Sequence, residues 1–258
     1  MKYYVVDAFA ENIFTGNPAG ICVLDDYLND DIMQKIASEN NLPETAFIIK
    51  ENESYRIRWF TPKYEIDLCG HATLASAFII HNFIEKGIDE IKFQSMSGEL
   101  KVSCKDDIYT LDFPTRVPKK IENIEELKDI IGTNILETYI SRDLLLVIDN
   151  EKTLLELSPN FEKMAQLEIG DGIIVTAKGD KYDFVSRCFY PKCGVNEDPV
   201  TGSAHCNLIP YWAKRLNKNE MMAKQISSRG GNLYCKLKGE RVNISGKAVL
   251  YSEGIIYL

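Results

Sequence analysis

The chain has 258 residues, of which 45% are hydrophobic, and its 30 basic and 38 acidic residues give a net charge of −8. This length fits about two domains of ~100–150 residues each, with enough apolar residues for two cores. The acidic balance, and the lack of a Lys/Arg stripe with interleaved aromatic residues, argue against nucleic acid as a partner. The longest apolar stretch, near residues 75–80, is too short to span a bilayer, so we expect a cytoplasmic protein with no membrane partner.

The chain contains seven cysteines, an odd number, with no C-x-x-C pair and no export signal. This usage predicts reduced thiols rather than a disulfide framework. Cys188 and Cys193 resemble half of a zinc site, but no second Cys/His pair follows at a suitable spacing, and there are only three histidines. We therefore expect no structural metal.

The sequence repeats itself. R-W-F-T-P-K, which begins at Arg58, returns 129 positions later as R-C-F-Y-P-K, which begins at Arg187. After a slip of three residues, Gly70-His71-Ala72 falls on Gly202-Ser203-Ala204. This order predicts two similar halves, residues 1–117 and 118–258, with a ligand site in the cleft at their junction.

In the first half, apolar alternation predicts strands at residues 2–8 and 21–24, separated by a turn-forming loop from Phe14 to Gly20. A helix follows at residues 30–40, with Asn29 as its N-cap, an apolar face that includes Ile32, and Asn41 at its end. Strands at residues 45–49 and 55–60 precede a helix at residues 71–85. This helix is apolar on nearly all sides, which is typical of a helix surrounded by protein.

Three more strands, at residues 91–95, 100–104 and 109–113, complete the first half, and residues 114–126 are the best candidate for a linker. The second half is predicted to have strands at residues 144–148, 173–177 and 184–189, and a helix at residues 159–167. A mostly apolar helix then runs from Gly202 to about residue 216, bent by Pro210. Strands at residues 233–237, 242–245, 248–251 and 255–258 end the chain. The fold class is α+β, with each half a mixed sheet around one buried helix.

The two buried helices begin at Gly70 and Gly202. Their first-turn N–H groups and their dipoles attract an anion, and both glycines allow close approach to the backbone. The imidazole of His71 and the hydroxyl of Ser203 would add donors. Each Gly-His or Gly-Ser pair alone is an ordinary way to start a helix, but their equivalent places in the two halves favour a carboxylate or phosphate site.

Glu44 is the first candidate for acid–base chemistry. It follows Leu42-Pro43 and precedes an apolar strand, so we expect a partly desolvated carboxylate that can accept and return a proton. The alternative is a solvated turn glutamate. The offset of 129 places Ile173 opposite Glu44, so the base is present in one half only.

Asp198 is the second candidate, because it has no match in the shorter loop before Gly70. We expect it to receive an amino or hydroxyl group of the substrate. The neighbouring Glu197 is expected to point to solvent.

Four blocks of the sequence carry a family resemblance: F-x-G-N-P-A-G, N-L-P-E-T-A-F, D-L-C-G-H-A-T and E-D-P-V-T-G-S-A-H. They resemble the signature blocks of the phenazine-biosynthesis F-type (PhzF-like) isomerase family, and the match covers essentially the whole chain. That family is similar in architecture to diaminopimelate epimerase, with two pseudo-symmetric halves. In its namesake enzyme, a hydroxylated dihydroanthranilate undergoes a cofactor-free proton shift.

The resemblance implies a cofactor-independent isomerase of a small amino- or hydroxy-carboxylate. It makes Glu44 the general acid/base, and it places His71 and Asp198 on other polar groups of the substrate. The residues that would bind the substrate carboxylate are Gly70, His71, Gly202 and Ser203. The resemblance also suggests a homodimer, and a final strand that returns to the first half.

Two alternatives remain open at the sequence level. One is a two-thiol racemase that uses Cys69, although Cys69 aligns with Thr201, and Cys206 falls about one turn inside the second helix. The other is a non-catalytic protein that binds small carboxylates. Glu44→Gln and Cys69→Ser would discriminate among these readings.

Overall fold

The chain folds into two units, each built from a mixed β-sheet with helices, which is the α+β class that the sequence predicts. The computed structural model describes all residues from Met1 to Leu258. Unit 1 comprises Met1–Asp112 and Ser245–Leu258, and unit 2 comprises Phe113–Ile244. Neither unit contains a helix with the length and apolar character needed to cross a membrane.

The strands are, in chain order, β1 (Lys2–Ala8), β2 (Asn17–Leu24), β3 (Glu44–Glu51), β4 (Ser54–Phe60), β5 (Glu65–Ile66), β6 (Glu90–Ser95), β7 (Gly98–Lys105), β8 (Ile108–Pro114), β9 (Lys119–Ile121), β10 (Glu137–Ile140), β11 (Leu144–Val147), β12 (Ile173–Lys178), β13 (Phe184–Tyr190), β14 (Val195–Asp198), β15 (Glu220–Gln225), β16 (Gly231–Lys238), β17 (Arg241–Gly246) and β18 (Ala248–Ile255). The α-helices are α1 (Asp30–Asn40), α2 (Gly70–Ile79), α3 (Glu125–Ile131), α4 (Glu151–Leu155), α5 (Phe161–Ala165) and α6 (Gly202–Leu216). A π-helical segment, Ile80–Ile84, continues α2, and a 3₁₀ turn, Pro191–Cys193, follows β13.

The pairing of strands repeats between the two units. In unit 1, β1–β2 is antiparallel, β2–β3 parallel, β3–β4 antiparallel, β4–β6 parallel and β6–β7 antiparallel. In unit 2, the same sequence of pairings runs through β10–β11, β11–β12, β12–β13, β13–β15 and β15–β16. The predicted duplication is thereby confirmed at the level of sheet topology.

The final strand, β18, belongs to unit 1. It pairs antiparallel with β1 from Lys2↔Ile255 to Ala8↔Ala248. In unit 2, the strand in the corresponding place beside β10 is β9, which precedes β10 in the chain. Unit 1 therefore takes its last strand from the other end of the chain, as the family resemblance suggests.

The repeated R-x-F motif makes the same ion pair in each unit. Arg58 donates to Glu65 through Nε (2.6 Å) and Nη2 (2.7 Å). Arg187 donates to Glu197 through the same two atoms, at 2.7 and 2.8 Å. Glu197 is therefore held in a bidentate pair, and the expectation that it points to solvent is wrong. Such planar two-bond pairs fix the geometry as well as the charge.

Helix α2 lies inside unit 1, where it contacts β1, β2, β3 and β7. Its apolar side chains are buried almost all round, as predicted, and Leu74 and Ile79 are fully buried. The prediction fails beyond the helix, because Phe83 and Ile84 are 40% and 38% exposed. They lie in the π-helical segment, whose wider turn shifts the following residues to a different face.

Helix α6 lies inside unit 2. The indole of Trp212 donates to Thr176 Oγ1 (2.9 Å) and stacks on Phe184, with ring centroids 5.7 Å apart. Pro210 lies within this helix and cannot donate to the carbonyl of Cys206.

Several element predictions are wrong at their boundaries. Strand β2 begins at Asn17, so four of the seven residues of the predicted loop belong to the sheet. The predicted helix at residues 159–167 is only Phe161–Ala165, because Asn160 caps it. The predicted linker contains β9, which pairs with β10. Residues 255–258 do not form a separate strand, since β18 runs unbroken to Ile255.

Helix α1 matches its prediction, with Asn29 Oδ1 accepting from Asp31 N (2.9 Å) and Asn41 in the left-handed conformation. On its apolar face, Met33 is buried, but Ile32 is 38% exposed. The strands β5, β10, β14 and β15 and the helices α3 and α4 were not predicted. The helices have only seven and five residues, too few for a periodic pattern to emerge.

Candidate active site

Glu44 is the first residue of β3, where parallel pairing sets it beside Ala19 of β2. The next residues of β3, from Thr45 to Ile49, are all buried. The side chain of Glu44 is 17% exposed, so its carboxylate is largely removed from water. The expectation of a partly desolvated carboxylate at this position is met.

His71 is the second residue of α2, and its side chain is 6% exposed. Its Nε2 lies 3.1 Å from Oε2 of Glu44. Neither of these two buried atoms makes a hydrogen bond to any other group. The structure therefore brings together two of the three predicted catalytic residues.

The other ring nitrogen of His71 meets two side chains. Nδ2 of the buried Asn17 lies 3.3 Å from Nδ1, and Sγ of Cys69 lies 3.5 Å from the same atom. When the ring is neutral, an Asn17 amide that donates to Nδ1 places the ring proton on Nε2, and the protonated ring carries a proton on Nε2 as well. That proton lies between His71 and the Glu44 carboxylate.

Charge and burial act in opposite directions on the pKa of His71. Burial lowers it, but Cys69 and the Glu44 carboxylate raise it, and the balance places it well above its ordinary value. The pKa of the Cys69 thiol is also raised, first by burial and second by the negative charge of Glu44. Burial and the charge of Glu44 thus both disfavour the thiolate of Cys69, which is the form that would act as a base.

The starts of α2 and α6 differ from those of the other helices. Neither α2 nor α6 has a side-chain cap or an acidic residue in its first turn. By contrast, α1, α4 and α5 have asparagine caps, and α1, α3, α4 and α5 all carry acidic residues in the first turn. The first-turn N–H groups of α2 and α6 thus lack the usual side-chain cap, and neither helix carries an acidic residue in its own first turn.

In unit 2, Asp198 is the last residue of β14 and lies three residues before the cap position Thr201. Its Oδ2 accepts a hydrogen bond from Thr201 Oγ1. The fully buried Gln225 bridges the same segment, since its Nε2 donates to Asp198 O (2.7 Å) and its Oε1 accepts from Thr201 N (2.8 Å). One amide side chain thus fixes both ends of the loop that leads into α6.

Ser203, the second residue of α6, lies beside a cation. Its Oγ accepts from Arg142 Nη2 at 3.3 Å. Arg142 is held by the fully buried Asp143, with Nη2 and Oδ2 2.7 Å apart. The start of α6 therefore presents a glycine, a hydroxyl and a guanidinium close together.

The sequence singled out Glu44 and His71, which the structure brings into contact, but it gave no sign of their immediate partners. Asn17 belongs to the G-N-P-A-G block, which the sequence marked as a loop rather than as a group touching His71. Cys69 was considered only as a base. Arg142 and Gln225 carry no local signal, because they reach α6 through tertiary contacts alone.

Two kinds of chemistry are within reach of the unit 1 cluster. The Glu44 carboxylate, backed by the imidazole of His71, can accept a proton and return it. Separately, ligand atoms of Glu44, Cys69 and His71 all lie within 4.8 Å of one another, so the same three side chains could hold a metal ion.

Comparison with known proteins agrees with this fold. The family model described as phenazine biosynthesis-like protein (PhzC-PhzF) matches residues 6–254. A protein of Pseudomonas aeruginosa named as an uncharacterized isomerase is 48% identical over 259 residues, covering 100% of this chain and 99% of that protein. A crystal structure of a PhzF-family phenazine biosynthesis protein from Enterococcus faecalis is 52% identical, with a TM-score of 0.98, and the match covers 100% of this chain and 99% of that one.

The chain therefore belongs to the PhzC-PhzF family, and it is an isomerase of that family. A hydroxyproline epimerase from Agrobacterium vitis shares the fold alone, at 11% identity and a TM-score of 0.61 over 98% of this chain and 91% of its own. The predicted family and fold class are confirmed.

Proposed function

We propose that this protein is a cofactor-independent isomerase that moves a proton between two carbons of a small amino- or hydroxy-carboxylate, with Glu44 as the general acid/base. The observation that carries the proposal is the buried contact of 3.1 Å between Glu44 Oε2 and His71 Nε2. A carboxylate that is mostly excluded from water, and whose polar neighbour is an imidazole, is suited to both accepting and returning a proton.

In the first step, Glu44 takes a proton from a substrate carbon, and the electron pair of that C–H bond spreads into the adjoining conjugated system. The protonated Glu44 then delivers the proton to a second carbon. His71 keeps its Nε2 proton directed at Glu44 and so orients the carboxyl group. Positive potential near the substrate stabilises the negative charge that develops between the two steps.

Substrate binding is the second part of the proposal. Gly70, His71, Gly202 and Ser203 bind the substrate carboxylate, and Asp198 receives an amino or hydroxyl group. Helices α2 and α6 have no side-chain cap and no acidic residue in their first turns. This supports the assignment, because N–H groups in the first turn of a helix attract anions. Arg142, at 3.3 Å from Ser203 Oγ, adds positive charge at the start of α6.

The test is deuterium uptake from D₂O into a panel of cyclic and unsaturated amino- and hydroxy-carboxylates. We expect uptake with the unmodified protein and a loss of at least about 100-fold in Glu44→Gln, since general acid–base groups contribute about 10²–10⁴-fold. Glu53→Gln, at an exposed turn next to β3, is the matched control and should exchange normally. Binding of a panel member by calorimetry without any uptake would favour the non-catalytic carboxylate-binding alternative.

The proposal also includes a cytoplasmic location, which the sequence favours, and a homodimer, which the family resemblance suggests. Sedimentation of the purified protein at micromolar concentration tests the dimer, and a monomer would remove that part without affecting the chemistry.

A further inference from the structure

Arg116 carries a positive charge that no side chain of the protein satisfies. The residue is partly buried, and its Nη1 is a buried nitrogen without a hydrogen-bond partner. No acidic side chain forms an ion pair with it, in contrast to Arg142 and its partner Asp143. Because a charged group that is withdrawn from water without a partner destabilises a protein, the Arg116 guanidinium is suited to receive an anion from outside the chain.

Arg116 lies beside the first half of α6. Its backbone N–H donates to the carbonyl of Cys206 at 2.8 Å. Burial raises the pKa of the Cys206 thiol to about 11, whereas the positive charges of Arg116 and Arg142 act to lower it. Both guanidinium groups are therefore close to the same side chain, about one turn after the helix begins.

Arg142 approaches this part of α6 from the segment between β10 and β11. Its Nη2 lies 3.3 Å from Ser203 Oγ. The buried Asp143 accepts from Nε at 3.2 Å and from Nη2 at 2.7 Å, and such a two-bond pair holds the guanidinium in one orientation. The pair does not use Nη1 of Arg142, which is left to bind a ligand.

Asn207 supplies a third donor on the same side of α6. Ser203, Cys206 and Asn207 are spaced at i, i+3 and i+4, so they lie on one face of the helix. Asn207 is fully buried, and its Oδ1 accepts from the hydroxyl of Ser141, the residue before Arg142. Its Nδ2 has no hydrogen-bond partner. Buried donors of this kind are uncommon in folded proteins, and a bound ligand is one way to satisfy them.

We propose that Arg116, Arg142 and Asn207 form a second anion subsite on α6, about one turn beyond the helix start that is assigned to the substrate carboxylate. The inference rests on the proposed function and deepens it, because it makes the substrate a molecule with two anionic groups. The second group is a carboxylate or a phosphate, since arginine binds both. Asp143 balances the charge of Arg142, so Arg116 provides the positive charge that the second group neutralises.

The first experiment measures the melting temperature of the full chain in inorganic phosphate and in chloride at equal ionic strength. An anion that binds the folded protein raises the melting temperature. Exclusion of phosphate from the protein surface also raises it, but by the same amount in every variant. We expect a rise in the unmodified protein that exceeds the rise in Arg116→Gln. Arg215→Gln, in the last turn of the same helix, is the matched control and should respond as the unmodified protein does.

Arg116→Lys keeps the charge and should keep part of the phosphate response that Arg116→Gln loses. An equal response of the unmodified protein, Arg116→Gln and Arg215→Gln would overturn the subsite. Should Arg116→Gln fail to fold, Asn207→Asp replaces it, because this variant has nearly the same size and puts a negative charge where the anion would bind. Its phosphate response should fall to the level that surface exclusion alone produces, and an undiminished response would contradict the proposal.

The second experiment tests the two-anion substrate class by calorimetry with paired compounds. Cyclohexene-1,2-dicarboxylate is compared with its half-amide, and O-phosphoserine with serine, so that the two pairs distinguish a second carboxylate from a phosphate. The unmodified protein should bind the favoured dianion at least about tenfold more tightly than its partner, the scale of one hydrogen bond between charged groups. Arg116→Gln should remove this preference. A preference for neither dianion would contradict the two-anion class.

Both experiments are read without turnover, so the subsite and the proposed function can fail separately. Phosphate binding that depends on Arg116, without deuterium uptake into any carboxylate, would support the subsite and argue against the isomerase. Deuterium uptake that is lost in Glu44→Gln, in a protein with no Arg116-dependent phosphate response, would support the isomerase and overturn the subsite.

Discussion

At the scale of single residues, the side chains around His71 assign distinct roles to its two nitrogens. Asn17 and Cys69 lie against Nδ1, at 3.3 and 3.5 Å, while Glu44 lies against Nε2. The ring is thereby oriented from both sides. A carboxylate beside such a ring has a fixed direction, which an acid/base that serves two carbon positions requires.

Cys69→Ser separates the proposed mechanism from a two-thiol racemase. Because burial raises the pKa of the Cys69 thiol, the thiolate is scarce at neutral pH and does not serve as the base. We expect deuterium uptake in Cys69→Ser within about threefold of the unmodified rate, since no transition-state interaction is removed. Complete loss of uptake in a folded Cys69→Ser protein would instead make the thiol the base.

His205 predicts a dependence of stability on pH. Burial lowers its pKa to about 4, although its Nδ1 lies 2.9 Å from the carbonyl of Thr201, which acts in the opposite direction. Between pH of about 6.5 and about 4, the unfolded chain binds a proton at this residue and the folded chain does not, so stability falls as the pH falls. The full contribution is about 3 kcal/mol.

His205→Gln tests this dependence, because a glutamine amide can still donate to Thr201 without titrating. Urea unfolding between pH 7 and pH 5 should show a smaller loss of stability in the variant than in the unmodified protein. Identical slopes in the two proteins would show that His205 is not buried in its neutral form.

At the scale of elements, α6 tolerates a proline in its interior because a backbone N–H from the loop between β8 and β9 supplies the missing donor. Pro210 leaves the carbonyl of Cys206 without its helical N–H, and Arg116 N donates to that oxygen at 2.8 Å. The usual cost of a proline in a helix, about 3 kcal/mol, includes such an unsatisfied carbonyl. Here that part of the cost is removed.

Pro210→Ala should therefore raise the free energy of unfolding by less than about 1 kcal/mol, well below the gain expected for an uncompensated proline. The measurement is urea unfolding of both proteins at the same pH. A gain of about 3 kcal/mol would mean that the Arg116 hydrogen bond contributes nothing to the helix.

The elements also show which features the sequence could predict. The starts of α2 and α6 were found because Gly70 and Gly202 precede apolar helices in both halves, a signal contained within each segment. Strand β9 was missed because Lys119 and Lys120 lie in a charged, proline-containing stretch, and only pairing with β10 makes it a strand. The local sequence pattern is sufficient to predict a long buried element, whereas a short edge strand forms only through pairing with its neighbour, which the local pattern does not show.

The same distinction applies to the candidate site. Glu44 and His71 could be named as candidates because they lie in distinctive motifs. Their contact, and the presence of Asn17 and Cys69 around the ring, follow from the register of β2 beside β3 and from the position of α2. A single sequence does not show which strands are neighbours in the sheet, so this register could not be predicted from it.

At the scale of the whole molecule, the duplication accounts for the strand order that the two units share. The units differ at one edge of their sheets. In unit 1, the strand beside β1 is β18, from the end of the chain. In unit 2, the strand beside β10 is β9. The C-terminal residues are consequently part of the first unit's sheet, so their loss should affect unit 1 in particular.

Deletion of residues 248–258 should expose the edge of β1. We expect its amides to lose protection in hydrogen–deuterium exchange, because seven residues of β1 pair with β18, while the amides of β11 and β12 in unit 2 keep theirs. Unchanged protection of β1 would contradict its pairing with β18. Should the shortened chain not accumulate, Leu250→Pro tests the same edge by removing one donor opposite Val6.

The central claim is that Glu44 carries the proton, and the most direct test is the rate of deuterium uptake into one exchanging carboxylate, compared among the unmodified protein, Glu44→Gln and Cys69→Ser. We expect uptake in the unmodified protein and in Cys69→Ser, and a loss of at least about 100-fold in Glu44→Gln with ligand affinity retained. Uptake that continues in Glu44→Gln and stops in Cys69→Ser would contradict it.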